Sequence, residues 1–157
     1  MSAIDDIYSV RAIGQVLSDR AAREDDDWGS VESVIRLDDR FGPDALAGLD
    51  EFSHIDVVFV FDRFDEAKVN TAARHPRGND AWPKVGIFAQ RASSRPNRLG
   101  VTTCELIGVD GLDVHVRGLD AIDGTPVLDI KPFVQEFQPR TEVCQPSWIG
   151  ELMVDYW

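Results

Sequence analysis

The sequence predicts a mainly β domain, a small barrel of short strands with one or two short helices. Three observations point there. Apolar runs are brief and rich in β-branched and aromatic residues, as in Val57 to Phe61. Two tight-turn pairs, Asp110-Gly111 and Asp123-Gly124, separate such runs, and the first is a strong hairpin signal. A helical start signal appears at Pro43 to Leu49, where proline near the first helical position loses an N–H that would be unpaired anyway.

In chain order, Tyr8 to Val16 alternates weakly through Tyr8, Val10 and Ala12 and suits a first strand. Residues 18–30, SDRAAREDDDWGS, are polar and acidic and read as a loop carrying Trp28 and Gly29. Ser30 to Leu37 alternates again and makes the second strand. Phe52 opens FSHIDVVFVF, whose continuous apolar run from Val57 suits a buried central strand. From Asp62 to Trp82 the density of Asn, Pro and Gly predicts a long exposed connection with a helical turn around Glu66.

Next comes VGIFAQRASSRPNRLG, Val85 to Gly100. A short strand at Val85, Ile87 and Phe88 leads into a polar loop in which Pro96 and Gly100 set the backbone, so Arg91, Arg95 and Arg98 are displayed in a defined geometry. Val101 to Val109 forms a strand, the Asp110-Gly111 hairpin leads to Leu112 to Val116, and Val127 to Ile130 is the last strand. The tail holds Trp148, Ile149, Met153, Tyr156 and Trp157, too aromatic a set to be left in water, and is expected to pack on the barrel or on a partner. One domain, 1–157, therefore divides into a barrel core of about residues 8–133 and a tail, 134–157.

The 157 residues suffice for one ordinary core, and 43% hydrophobic with 28% charged residues is too apolar for disorder. MSAIDDIYSV has acids where a signal peptide needs bases, and no run approaches a membrane span, so a cytoplasmic protein is expected. In a reducing compartment Cys104 and Cys144, 40 positions apart, read as buried thiols rather than a disulfide. A net charge of −12 opposes non-specific attraction to nucleic acid. The charge is uneven, however: half of the 16 basic residues lie between Arg63 and Arg98. From Arg74 to Gly100 the only acid is Asp80.

Familiar catalytic patterns are missing. There is no GxxxxGK[ST] and no GxGxxG after a strand, and His54, His75 and His115 are too scattered for a metal site, so no metal is expected. No GxSxG elbow accompanies Ser93 or Ser94, and Cys104 lies mid-strand without a cationic neighbour. What survives is a pair of segments. RASSRPNRLG offers guanidinium and amide donors, while GLDAIDGTPVLDIKP brings Asp120, Asp123, Asp129 and Lys131. One strand and one hairpin join them, so they can sit on adjacent strands at one barrel end. Arg and backbone N–H groups suit a ligand carboxylate or phosphate, and Asp suits ribose hydroxyls or a cation. Equally, the acids can pair with the arginines and merely lock two turns.

These segments, RASSRPNRLGV and RGLDAIDGTPVLDIKPF with EFSHIDVVFVF and GIFAQR before them, resemble the TsaA/YaeB/TrmO family of S-adenosylmethionine-dependent tRNA methyltransferases. The resemblance spans most of Ile13 to Phe133 and implies a single-sheeted, barrel-like fold outside the Rossmann class, acting as a homodimer. It implies methylation of the exocyclic N6 nitrogen of threonylcarbamoyladenosine beside the tRNA anticodon. Cofactor contacts carried over by position are Asp27, Trp28 and Gly29, His54 and Ile55, Arg91, Leu99 to Val101 through Gly100, and Gly118, Leu119 and Asp120. Arg95, Asn97, Arg98, Asp129 and Lys131 fall to the acceptor side, where Arg74 and Arg77 are expected to complete a basic face. The methyl transfer is an in-line displacement that rests on alignment, and a base for the acceptor nitrogen would be Asp120 or Asp123. Two departures stand out: the family's RPNPIG reads RPNRLG here, and the 27–29 loop lacks its RQPG-like pattern. A same-fold methyltransferase for a small molecule, and a non-enzymatic S-adenosylmethionine-binding module, remain alternatives.

Overall fold

In a computed structural model, residues 4–157 are described, and six antiparallel strands close into a barrel in the order β1-β2-β7-β6-β3-β8. The strands are β1 (Gly14–Leu17), β2 (Glu32–Leu37), β3 (His54–Val60), β6 (Leu99–Asp110), β7 (Asp113–Arg117) and β8 (Pro126–Pro132). Two-residue strands β4 (Ala73–Arg74) and β5 (Val85–Gly86) pair outside the barrel.

Alternation places every second side chain inside. Ile55, Val57 and Phe59 of β3 meet Cys104 and Leu106 of β6, Val114 and Val116 of β7, Ile35 and Leu37 of β2, Val16 of β1 and Val127 of β8 in one buried cluster. Each fully buried Ile or Phe contributes about 1.5–3 kcal/mol, so this interior is the main stabilising term. Outside, Arg117 of β7 reaches Glu32 of β2 at 2.6 Å and Glu105 of β6 at 2.8 Å, tying three strands in register. The Asp110-Gly111 hairpin forms between β6 and β7 as its sequence predicts.

Several expectations are corrected. The first strand begins at Gly14, not Tyr8: backbone pairing reaches back only to Ile13, which bonds Val127 and Asp38, and Tyr8 is 85% exposed. The Pro43 to Leu49 helix is a 3-10 turn at Pro43–Leu46 followed by another at Leu49–Glu51. The strand read at Val85 to Phe88 is two residues long; Ile87–Ala89 turn as a 3-10 helix so that Ile87 is buried and Phe88 exposed. The turn at Glu66 is present as Glu66–Lys68. Cys104 is buried, but Cys144 is exposed. Finally, β6 and β8 are not neighbours: β3 runs between them and pairs with both.

The tail folds back. A short helix, α1 (Ser147–Leu152), buries Trp148, and Trp82 Nε1 donates to Glu151 at 2.8 Å. Beyond α1 the chain lies along the acidic loop. Asp27 N–H donates to Asp155 O and Trp28 N–H to Tyr156 O, both at 2.8 Å. The tail thus packs on its own barrel.

Candidate functional site

The site is built where β3 ends at Val60 and β6 begins at its register partner Leu99. Gly100 lies against the Phe59 ring so closely that a Cβ there would meet ring carbons at 2.5 Å, and Phe59 stacks edge-on with Phe61 at 5.3 Å. Arg91 donates from its guanidinium to Val101 O at 2.5 Å, which anchors the loop to the strand. Past β7, Gly118 turns with φ 78 and bonds from its N–H to Val31 O at 2.9 Å. That turn, with Leu119 fully buried behind it, sends Asp120 toward β6, where the Thr102 hydroxyl donates to one carboxylate oxygen and the Tyr156 hydroxyl to the other.

Asp27 to Gly29 complete the ring, the Gly29 carbonyl oxygen lying 3.7 Å from where Gly118 would carry a Cβ. Trp28 is only 3% exposed, with the Arg20 guanidinium 3.7 Å over its ring, so it presents no open face to a ligand. The backbone N–H groups of Asp27 and Trp28 are held by residues 155 and 156. Ten of the positions expected from the sequence to contact the cofactor therefore gather at one barrel end: Asp27, Trp28, Gly29, Arg91, Leu99, Gly100, Val101, Gly118, Leu119 and Asp120. His54 and Ile55 do not join them. They begin β3, six and five residues from Val60 and so about 16–20 Å along the strand, with His54 in register with Glu105 and, one strand further, Arg117. Ile55 is fully buried, and His54 Nδ1 bonds the Ser53 hydroxyl at 2.8 Å.

The acceptor-side residues divide. Arg95 donates to Gln90 O at 2.8 Å, and Arg74 to the buried Ser94 hydroxyl at 2.6 Å. Arg98, at φ 51, donates to Phe64 O at 3.0 Å and faces Glu66 at 3.7 Å; Arg77 pairs with Asp26 at 2.7 Å. Asn97 is exposed beside them. The guanidinium groups thus brace their own loops as well as being displayed. Arg74, Arg91 and Arg95 meet neutral oxygens, whereas the charges of Arg77 and Arg98 are offset by carboxylates. Asp129 and Lys131 pair with each other at 2.7 Å on β8, and Asp129 shares the outer row of the sheet with Val58 and Val101, away from inward-facing Thr102. Asp123 locks a turn: its carboxylate accepts Ser18 N–H at 3.0 Å and its carbonyl accepts Arg63 at 2.9 Å.

Electrostatically the cluster is tuned by burial. Burial, and then the Asp120 carboxylate, push the Tyr156 phenol well above the usual tyrosine range, while Arg91 and Arg77 pull it the other way. Tyr156 is therefore a neutral donor at pH 7. Sequence reasoning missed Tyr156 and Thr102, because a tyrosine in a tail and a threonine in a strand carry no motif. One hollow of about 470 Å³ is lined by Ser18, Ser33, His115 and the candidate base Asp123, and another of about 460 Å³ by Leu46 and Phe52; Arg91, Leu99 to Val101 and Gly118 to Asp120 line neither. Among the described residues no three His, Cys, Asp or Glu side chains converge as a metal site, and no helix is long and apolar enough to cross a membrane.

A closed antiparallel barrel outside the Rossmann class, with an Arg–Asp–glycine ring at one end, defines the architectural class. Residues 21–138 match the family model for the tRNA-methyltransferase O N-terminal domain, and the chain belongs to that family. It is 39% identical over 131 residues to a "Probable S-adenosyl-L-methionine-binding protein" of Methanothermobacter thermautotrophicus, covering 81% of this chain and 90% of that one. It is also 39% identical over 102 residues to the human "tRNA (adenine(37)-N6)-methyltransferase", covering 65% of this chain but 23% of the human protein. The crystal structure of TrmO from Pseudomonas aeruginosa superposes with a TM-score of 0.71 at 27% identity, covering 88% of this chain and 61% of that one. The chain thus spans a fraction of the human relative and most of the archaeal one.

Proposed function

We propose that this protein is an S-adenosylmethionine-dependent methyltransferase acting on the N6 nitrogen of threonylcarbamoyladenosine beside the tRNA anticodon, in the cytoplasm and as a homodimer. The observation that carries the reading is the gathering of Arg91, Leu99 to Val101 and Gly118 to Asp120 at one barrel end, within the stretch that matches the family. The donor set fits the cofactor. Arg91 suits the methionine carboxylate, and Asp120, with lone pairs left on both oxygens, suits the ribose hydroxyls. When bound, S-adenosylmethionine supplies an electrophilic methyl group. The protein's task is then alignment, for which a closed barrel and a loop braced by Arg74, Arg95 and Gln90 are stiff supports. Arg74 and Arg95, which meet neutral oxygens, supply positive charge for the RNA backbone. The homodimer is supported by an outward apolar row, Val58, Val60, Leu99 and Val101, of which Leu99 and Val101 are 42% and 47% exposed.

Thermal unfolding with and without S-adenosylmethionine tests the cofactor, since a ligand that binds the native state stabilises it. At about 100 times its dissociation constant the cofactor should raise Tm by roughly 5–10 °C. No rise would remove the cofactor from the reading. Transfer of labelled methyl to bulk tRNA from cells lacking the modification tests the acceptor; a Tm rise without transfer would point to a small-molecule acceptor.

A further inference from the structure

We infer that Tyr156 is a positioning residue of the cofactor site, holding Asp120 so that its two free lone pairs face the ribose diol, with Asp155 to Trp157 as a built wall of that site. The inference rests on the proposed cofactor reading. The segment is fixed on several sides: by main-chain bonds from Asp27 and Trp28 at 2.8 Å, by buried Trp148, and by the Trp82–Glu151 bond at 2.8 Å. Gly29 records the same closeness, since a Cβ there would meet the Trp157 backbone at 2.7 Å.

The chemistry follows from lone pairs. A carboxylate has about four acceptor positions, two on each oxygen. Thr102 takes one on Oδ1 and Tyr156 one on Oδ2, so the carboxyl plane is fixed from both sides and one acceptor position remains on each oxygen. Two adjacent acceptors match the two hydroxyls of a ribose. Without the Tyr156 hydroxyl, Asp120 keeps one brace and can turn about its side-chain bond. The aromatic wall also stands where buried Trp28 cannot serve. Trp157, 56% exposed, packs edge-on against Tyr156 at 4.8 Å and offers a ring at the site's rim.

The experiment is calorimetric titration of wild type and Tyr156→Phe with S-adenosylhomocysteine and with its 2′,3′-dideoxy counterpart. The substitution keeps the ring and its packing. Tyr156→Phe should weaken S-adenosylhomocysteine binding roughly tenfold, the worth of one charged hydrogen bond, and change the dideoxy compound less than about threefold. Thr102→Val, which removes the opposite brace, should show the same selectivity. Equal weakening of both compounds would mean a merely structural role and overturn the inference, as would unchanged binding. Tighter binding by the variant would mean that the segment competes with the ligand, and also overturns it. Failure of the wild type to bind either compound would overturn the cofactor reading itself, which the wild-type titration reads separately.

Discussion

Arg98 concentrates the residue-scale argument. Its φ of 51 lies in the left-handed region, yet the family pattern has proline there, and a proline ring locks φ near −65°. The backbone at this position is therefore of a kind that proline cannot adopt. Arg98→Pro should cost about 3 kcal/mol in urea unfolding, whereas Arg98→Gly, which relieves the strain but loses the tie to Phe64 O, should change stability by less than about 1 kcal/mol. Gly100→Ala places a methyl into the Phe59 ring and should cost about 1–3 kcal/mol, read as a lowered Tm. Arg91 and Asp120 could be singled out as candidates from the sequence, because guanidinium and carboxylate announce their chemistry. Tyr156 could not, because its role comes from a backbone pairing between positions 28 and 156 that no local pattern encodes.

At the scale of elements, β6 decides most. Its alternation sends Thr102, Cys104 and Leu106 inward and Val101, Thr103 and Glu105 outward. Burial, reinforced by Asp120 and Asp56, pushes the Cys104 thiol up to about 12. Native protein at pH 8 should therefore take up one iodoacetamide, on exposed Cys144, and a second only after denaturation, as mass spectrometry would count. The sign for stability is set by the same shift. Below pH 9, the usual thiol value, both folded and unfolded chains keep the proton. Between about 9 and 12 the unfolded thiol ionises first, so the stability associated with Cys104 is lost as pH rises. Cys104→Ala should flatten that loss in urea titrations across the range. The strands were legible from their β-branched alternation. The early end of β1 was not, since Tyr8 and Val10 alternate as a strand does but have no neighbour to pair with.

For the whole molecule, charge and surface pull in different directions. A net charge of −12 repels RNA at long range, so binding would depend on a local cluster. If Arg74 and Arg95 each neutralise one phosphate, affinity for tRNA should fall roughly 7–12-fold between 50 and 200 mM salt. A flat salt response in filter binding would remove these arginines from the interface. If the outward row containing Leu99 and Val101 seats the proposed dimer, Val101→Asp should shift the mass measured by light scattering from dimer to monomer while leaving the barrel's circular dichroism unchanged; a monomeric wild type would remove the dimer.

Strand content, the hairpin at Asp110-Gly111, the acidic loop and the two segments that carry the candidate site's charged side chains can all be read along the chain. These are local properties, fixed by alternation, turn residues and side-chain type. Closure of the barrel set the rest: that β3 separates β6 from β8, that Asp129 faces outward while Asp120 turns in, and that Asp123 is tied into a turn. Packing likewise lays the aromatic tail over the 27–29 loop. Those outcomes depend on which strands close the barrel and on pairings across more than a hundred residues, where many arrangements satisfy the same local pattern and only the packed whole selects one.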